Sequence, residues 1–238
     1  MTGGALLYKA IIFDLDNTLL DYDRCETDSM HLTGRQHGLE QWELFTWDTF
    51  WKTFSPINWV YWSERNERKL NIHQVLELSF RDTLERLERD IAFATVLAGT
   101  YWEHFCRSCH FEEGARELLS ELHGSRKLAV ISNGIGESQR KRTASGGIAH
   151  LFDAFIVSDE VGHWKPDRNI FEIALRELGV DRSEALYIGD SLRDDYEGSR
   201  EAGIDFCFYN RGKVRLEERF APRYVVERLS DIRPLLQL

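Results

Sequence analysis

Two carboxylates, Asp14 and Asp16, stand one residue apart where the apolar run from Tyr8 to Phe13 gives way to polar residues. Paired acids beside a buried strand lose hydration and repel each other unless a cation, a proton or a chemical role offsets the cost. Such a pair could hold a metal, share a proton, or attack and protonate a bound group. An Asx turn is the bland alternative. Further along, Ser132-Asn133-Gly134, Lys165-Pro166-Asp167 and Gly189-Asp190, followed by Asp194 and Asp195, offer hydroxyl, amide, ammonium and carboxylate groups. Taken singly these are a turn, a helix start and a strand end.

The elements that must position these groups follow from hydrophobic pattern. Tyr8–Phe13 is short, apolar and rich in β-branched residues, as expected of a strand buried on both faces of a parallel sheet. From Phe111 onward strands alternate with helices. Strands are expected at Leu128–Ile131, Phe155–Val157, Ala185–Ile188 and Asp205–Tyr209. Helices are expected at Glu113–His123, at about Glu137–Ser145 (polar throughout), at Asn169–Leu178, and from about Asp195 to Ala202. This alternation predicts an α/β fold, a doubly wound parallel sheet with helices on both faces. Every polar group named above follows one of these strands, at the sheet edge where ligands bind in open α/β folds.

Between the first strand and the next, the segment 21–109 shows no strand pattern. It reads as several helices, the clearest from Ile72 to Ile91, where Ile72, Leu76, Phe80, Leu84, Leu87 and Ile91 recur at three- and four-residue steps. The segment is too long for a simple crossover and predicts an inserted α-helical domain. It holds six of the seven tryptophans, most of them expected in the core of the insert.

The formal charge of −10 argues against nucleic acid or an anionic membrane as partner. A hydrophobic fraction of 42% is enough for a sizeable core. No apolar run approaches the length of a membrane span, and no basic region followed by an apolar stretch opens the chain. Four scattered cysteines suit a reducing compartment, so the expected location is the cytoplasm. The cluster His104 to His110, with Cys106 and Cys109, lacks the second ligand pair of a zinc site and is expected to be a connection with ordinary cysteines.

In order and spacing, Asp14-Leu15-Asp16-Asn17-Thr18, Ser132-Asn133-Gly134, Lys165-Pro166-Asp167 and Gly189-Asp190-Ser191-Leu192-Arg193-Asp194-Asp195 resemble the four motifs of the haloacid dehalogenase superfamily, in its phosphohydrolase branch. The helical insert looks like that family's cap, so the resemblance implies a catalytic core of 1–20 and 110–238 and a cap of 21–109. It also implies a Mg²⁺-dependent phosphatase acting on a small phosphorylated metabolite through an aspartyl-phosphate, as a monomer or dimer. Asp14 would be the nucleophile, and Asp16 the acid and then the base. Lys165 would balance charge, and Ser132 with the Asn133 amide would bind phosphoryl oxygens. Asp14, the Asp16 carbonyl and Asp190 would hold the metal, with Asp195 (rather than Asp194) supporting them from behind.

Asp16 argues against a dehalogenase, which needs no proton on a halide leaving group. A phosphonatase would use a cap lysine, and Lys52 and Lys69 read better as exposed salt-bridging residues. A haloacid dehalogenase or sugar-phosphate mutase of the same fold and a non-catalytic phosphate-responsive binding protein remain as alternatives. The cap, with Asn58-Trp59 and Trp62, is similar to the branch containing pyrimidine 5′-nucleotidases and related broad phosphatases, which makes a nucleoside 5′-monophosphate one candidate for the small phosphate monoester. Trp59 and Trp62 are then the candidates to stack on a base.

Overall fold

A computed structural model describes residues 8–237; residues 1–7 of the segment expected to open the core lie outside that range. The strands are β1 (Ala10–Phe13), β2 (Lys127–Ser132), β3 (Ala154–Val157), β4 (Ala185–Gly189), β5 (Asp205–Tyr209) and β6 (Tyr224–Val226). The helices are α1 (Tyr22–Gln36), α2 (Trp47–Ser63), α3 (Ile72–Arg86), α4 (Ala94–Arg107) and α5 (Ala115–Leu122), then α6 (Gly136–Ser145), α7 (Ser158–Val161), α8 (Arg168–Leu178), α9 (Glu197–Ala202) and α10 (Arg233–Leu236). By internal contacts the chain divides into two compact units, one running to Arg24 and resuming at Cys109, the other Cys25–Ser108.

The first unit is built on a six-stranded sheet in the order β3-β2-β1-β4-β5-β6, parallel at every pairing. β1 lies between β2 and β4, with Ile12 opposite Ala129 on one side and Tyr187 on the other. Alternate residues point to opposite faces. Ile11, Phe13, Leu128, Val130, Leu186 and Ile188 pack with Ala115, Leu118, Leu119 and Leu122 of α5. Ile12, Ala129, Ile131, Ala185 and Tyr187 pack with Ile170, Phe171, Ala174 and Leu178 of α8. Covering both faces is what lets an all-apolar strand such as β1 form.

Three boundaries differ from the sequence expectation. The β6 strand was not anticipated: three residues, with Val225 46% exposed, form an edge strand too short to leave a pattern. The Ile72 helix ends at Arg86 instead of Ile91, because Glu88 turns left-handed at φ 54. There the amides of Glu88 and Arg89 donate to the carbonyls of Glu85 and Leu84, a Schellman stop without its usual glycine. The helix expected from Asp195 begins as a π-helical turn over Leu192–Tyr196, and α9 follows from Glu197.

The second unit is helical throughout. Asn71 and Gln74 form a reciprocal capping box at the start of α3, and the Thr46 hydroxyl caps α2. Its centre is phenylalanine rather than tryptophan. Phe54 lies 4.8 Å from Phe80 by ring centroids, and Phe50 and Tyr101 flank them. Of the insert's tryptophans only Trp102 is buried, while Trp42, Trp47, Trp51 and Trp62 are half-buried and Trp59 is 66% exposed. The expectation that most are core is corrected, since α2 turns Phe50 and Phe54 inward and leaves its indoles at the margin.

The chain leaves and re-enters the first unit through adjacent segments. Leu20 bridges antiparallel to Phe111, the Asp21 amide donates to the His110 carbonyl at 2.9 Å, and the Glu112 amide donates to Leu19 at 3.0 Å. Arg211, beyond β5, pairs with Asp23 and Glu112 at 3.4 and 3.2 Å. Phe80→Ala should cost about 3–5 kcal/mol, the usual loss for a buried phenylalanine, measured by urea denaturation. A loss below about 1 kcal/mol would place the core of the helical unit elsewhere.

Candidate active site

Asp14 directly follows β1, and its amide continues the sheet by donating to the Ile188 carbonyl at 2.9 Å. The turn after it is tight. The amides of Leu19 and Leu20 both donate to the Leu15 carbonyl, and the Asn17 amide donates to Leu20. Asn17 takes φ 61, which asparagine tolerates better than most residues, and its side chain accepts from the Tyr22 amide to start α1. Inside this turn the Thr18 hydroxyl donates to Asp14 Oδ2 at 3.2 Å. The turn aims Asp14 and Asp16 at different partners.

Asp14 faces a buried ammonium. Lys165 Nζ lies 2.5 Å from Asp14 Oδ1 and 2.7 Å from Asp195 Oδ1. It also donates to the Tyr187 hydroxyl at 3.1 Å, and that hydroxyl donates to Asp195 at 2.9 Å. The other Asp195 oxygen accepts from the Ser191 amide at 3.0 Å. Gly189 makes room for it, because a Cβ there would run into the Asp195 carboxylate.

Burial, the largest influence on Asp14, raises its pKa; Lys165 opposes the shift, and the charges of Asp195 and Asp190 add to it. For Lys165 burial works downward, yet Asp14 and Asp195 hold it well above its usual value. Asp190 is pushed up to about 7, first by burial and then by Asp195.

Ligand oxygens of Asp14, Asp190 and Asp195 lie within 4.8 Å of one another, the one such metal-competent group among the described residues. Three carboxylates face one ammonium here, leaving two formal negative charges in excess. Hard oxygen donors with that surplus fit a small divalent cation such as Mg²⁺. Asp194 is not in the group: its amide donates to the Ser191 hydroxyl, and its carboxyl is raised mainly by burial.

Ser132 ends β2, nearly fully buried. The Asn133 side chain braces the lysine loop, donating to the Lys165 carbonyl at 2.9 Å and accepting from the Lys165 amide at 2.7 Å. Asp16 turns toward α6. Its Oδ1 meets Arg142 Nη1 at 2.6 Å and its Oδ2 meets Gln139 Nε2 at 2.5 Å. In the helical unit, the Trp62 ring is covered by the Arg65 guanidinium at 3.7 Å.

Three residues at the site had no sequence signal that was read: Tyr187, Gln139 and Arg142. Tyr187 stands in a buried strand and looks like core. Gln139 and Arg142 stand three apart on a helix without an apolar stripe, a pattern that ordinarily marks a solvated helix. The available clue was that this helix directly follows Ser132-Asn133-Gly134.

A family model described as haloacid dehalogenase-like hydrolase matches residues 8–203. Pyrimidine 5′-nucleotidase YjjG of Escherichia coli is 30% identical over 95% of this chain and 96% of its own. Pyrimidine 5′-nucleotidase PynA of Streptococcus pneumoniae is 27% identical over 95% of this chain and 94% of its own. Among solved structures, the HAD-hydrolase YfnB of Bacillus subtilis, bound to magnesium, superimposes with a TM-score of 0.80 at 25% identity, covering 97% of this chain and 99% of that one.

The acid cluster gives a pH-dependent metal effect. Asp190 rises from its ordinary 3.8 to about 7 in the folded, metal-free protein. The folded state then binds the proton more tightly than the unfolded chain, so stability falls as pH rises through that window. A divalent cation takes the proton's place. The Mg²⁺-induced rise in Tm should therefore be clearly larger at about pH 8 than at about pH 5. Equal shifts at both would detach metal binding from this cluster.

Proposed function

Because this chain belongs to the haloacid dehalogenase-like hydrolases, we propose that it is a Mg²⁺-dependent phosphatase of a small phosphate monoester, a pyrimidine nucleoside 5′-monophosphate being the preferred substrate. The observation that carries the reading is the buried Asp14, held by Lys165 within a group of acids that has two negative charges too many. A phosphate dianion could not approach this cluster unaided. When bound, the cation offsets that repulsion and draws charge off the phosphoryl oxygens. Asp14 and Asp190 would hold it through their carboxylates and Asp16 through its backbone carbonyl, with Asp195 fixed behind them by Tyr187 and Ser191.

Lys165 opposes the upward shift that burial gives Asp14 and aims its carboxylate. Asp14 attacks phosphorus, the bond to the leaving oxygen breaks, and the phosphoryl group rests on the aspartate. Asp16 gives its proton to the leaving oxygen. It then takes one from the water that cleaves the acyl phosphate, which releases phosphate, frees the Asp14 carboxylate and returns Asp16 to its protonated form. Ser132 and the Asn133 amide hold phosphoryl oxygens at the start of α6, where helix amides favour an anion.

The nucleotide preference rests on the two nucleotidase relatives and on Trp59, whose indole is 66% exposed on α2. Trp62 is the weaker stacking candidate, since Arg65 covers one of its faces.

Asp14→Asn should abolish turnover while leaving the fold intact by circular dichroism. Excess EDTA should stop the wild type until Mg²⁺ or Mn²⁺ is returned. Near-normal kcat in the variant, or full activity in EDTA after dialysis, would reject the mechanism. Trp59→Ala should lower kcat/KM for a pyrimidine nucleotide by about ten- to hundredfold, the range for losing one base–aromatic stack. It should spare p-nitrophenyl phosphate; parallel losses on both would mean the indole does not read the base.

A further inference from the structure

The helix α6 breaks the rule for surface helices. From Gly136 to Ser145 it has no apolar stripe, and a helix polar on all sides is ordinarily solvated. Yet Ser138, Gln139, Arg142 and Thr143 are buried, and the Arg142 side chain is wholly withdrawn from solvent. Taking a guanidinium out of water carries a heavy desolvation cost, tolerable only against a well-placed carboxylate. The carboxylate that pairs with it is Asp16.

The contacts link Asp16, Ser132, Gln139 and Arg142. Arg142 Nη1 donates to Asp16 Oδ1 at 2.6 Å and to Gln139 Oε1 at 2.9 Å. Gln139 Nε2 donates to Asp16 Oδ2 at 2.5 Å and to the Ser132 hydroxyl at 2.9 Å. Every polar position of the Gln139 amide is thus used, and turning it over would place its oxygen against Asp16 and its nitrogen against Arg142. Gly134 admits this side chain, since a Cβ there would collide with the Gln139 amide.

We infer that Gln139 and Arg142 are positioning residues for Asp16. They fix both oxygens of the carboxylate that exchanges a proton with the leaving group, and Gln139 ties its location to Ser132. The inference rests on the reading of Asp16 as the acid and base of a phosphatase. Proton transfer requires the carboxylate within hydrogen-bond reach of the ester oxygen. Asp16 sits in a turn, where its side chain would otherwise sample several rotamers. With both oxygens anchored to a buried helix face, it presents one geometry. Through these bonds Arg142 and Gln139 reach Asp16 and Ser132, and it is through those groups that they would act on the reaction.

The test is a double-mutant cycle on two substrates with saturating Mg²⁺: an alkyl phosphate, whose leaving oxygen needs a proton, and p-nitrophenyl phosphate, which needs it far less. Arg142→Met should lower kcat on the alkyl ester by about ten- to hundredfold, as for losing a hydrogen bond to a charged group. The loss on the aryl ester should be several-fold smaller, and its KM should be nearly unchanged. Arg142→Lys should recover part of the activity. In an Asp16→Asn background Arg142→Met should cause no further loss, because its effect runs through that carboxylate.

Gln139→Leu leaves no buried charge without its partner and carries the same test if Arg142→Met fails to fold. Equal losses on both esters, or a full loss retained in the Asp16→Asn background, would make these residues structural only. If Asp16→Asn shows the leaving-group-dependent loss but neither single variant does, the clamp is wrong and the phosphatase reading stands. If Asp16→Asn itself treats both esters alike, the reading of Asp16 fails, and this inference with it.

Discussion

The ammonium of Lys165, buried between Asp14 and Asp195, is the contact on which the site depends. A buried charge survives only when its surroundings pair it and satisfy its donors, and here three elements do so. β1 brings Asp14, the π-helical turn after β4 brings Asp195, and β4 itself brings Tyr187. The lysine loop is in turn held through its backbone by Asn133, at the end of β2. The four segments meet because β2, β1 and β4 are hydrogen-bonded neighbours running parallel, so their carboxyl ends share one edge. Removing Lys165 would leave Asp14 and Asp195 in the interior without their shared cation. The same parallel order that buries β1 on both faces therefore sets where the polar groups converge.

The sheet was legible because β1 to β5 are mostly apolar runs bounded by polar residues. β1, β2, β4 and β5 all lie within a residue or two of the pattern, the ordinary scatter of element ends. What could not be read had no local signature. The stop of α3 uses Glu88 in a left-handed conformation that normally calls for glycine. β6 is a three-residue edge, set by pairing with β5 rather than by its own periodicity. In the helical unit, helical spacing identified α3 but could not say which aromatics face inward. Phe50 and Phe54, four residues apart, took the core, and the larger indoles, with a polar N–H to satisfy, stayed at the margin.

For the site, the motif acids were visible because they lie at or just past strand ends, where composition changes abruptly, whereas Lys165, beyond α7, was visible through the resemblance of Lys165-Pro166-Asp167 to a family motif. Tyr187 was hidden because its ring is ordinary core, packed on Phe171 and Phe206; only its hydroxyl belongs to the polar cluster. Arg142 and Gln139 were hidden for the opposite reason. Their chemistry is that of a surface helix, and only tertiary packing turns that face inward. Such conflicts between local pattern and burial tend to mark functional positions.

The two acids of the first motif end up with different counterions. Asp14 shares Lys165 with Asp195 and sits in a cluster whose surplus negative charge calls for a divalent cation. Asp16 has a resident cation, Arg142, supplied by α6 and independent of that cluster. One residue of separation, bent through a turn with Asn17 left-handed, is enough to place two chemically identical groups in unlike surroundings. Environment of this kind is what divides two carboxylates between two tasks. Asp14, nearly enclosed and dependent on charge brought in from outside, suits attack on a bound anion. Asp16, partly exposed and anchored by its own arginine, suits the exchange of protons with a departing oxygen and with water. The sheet edge brings the acids together, and the turn and α6 give them different partners.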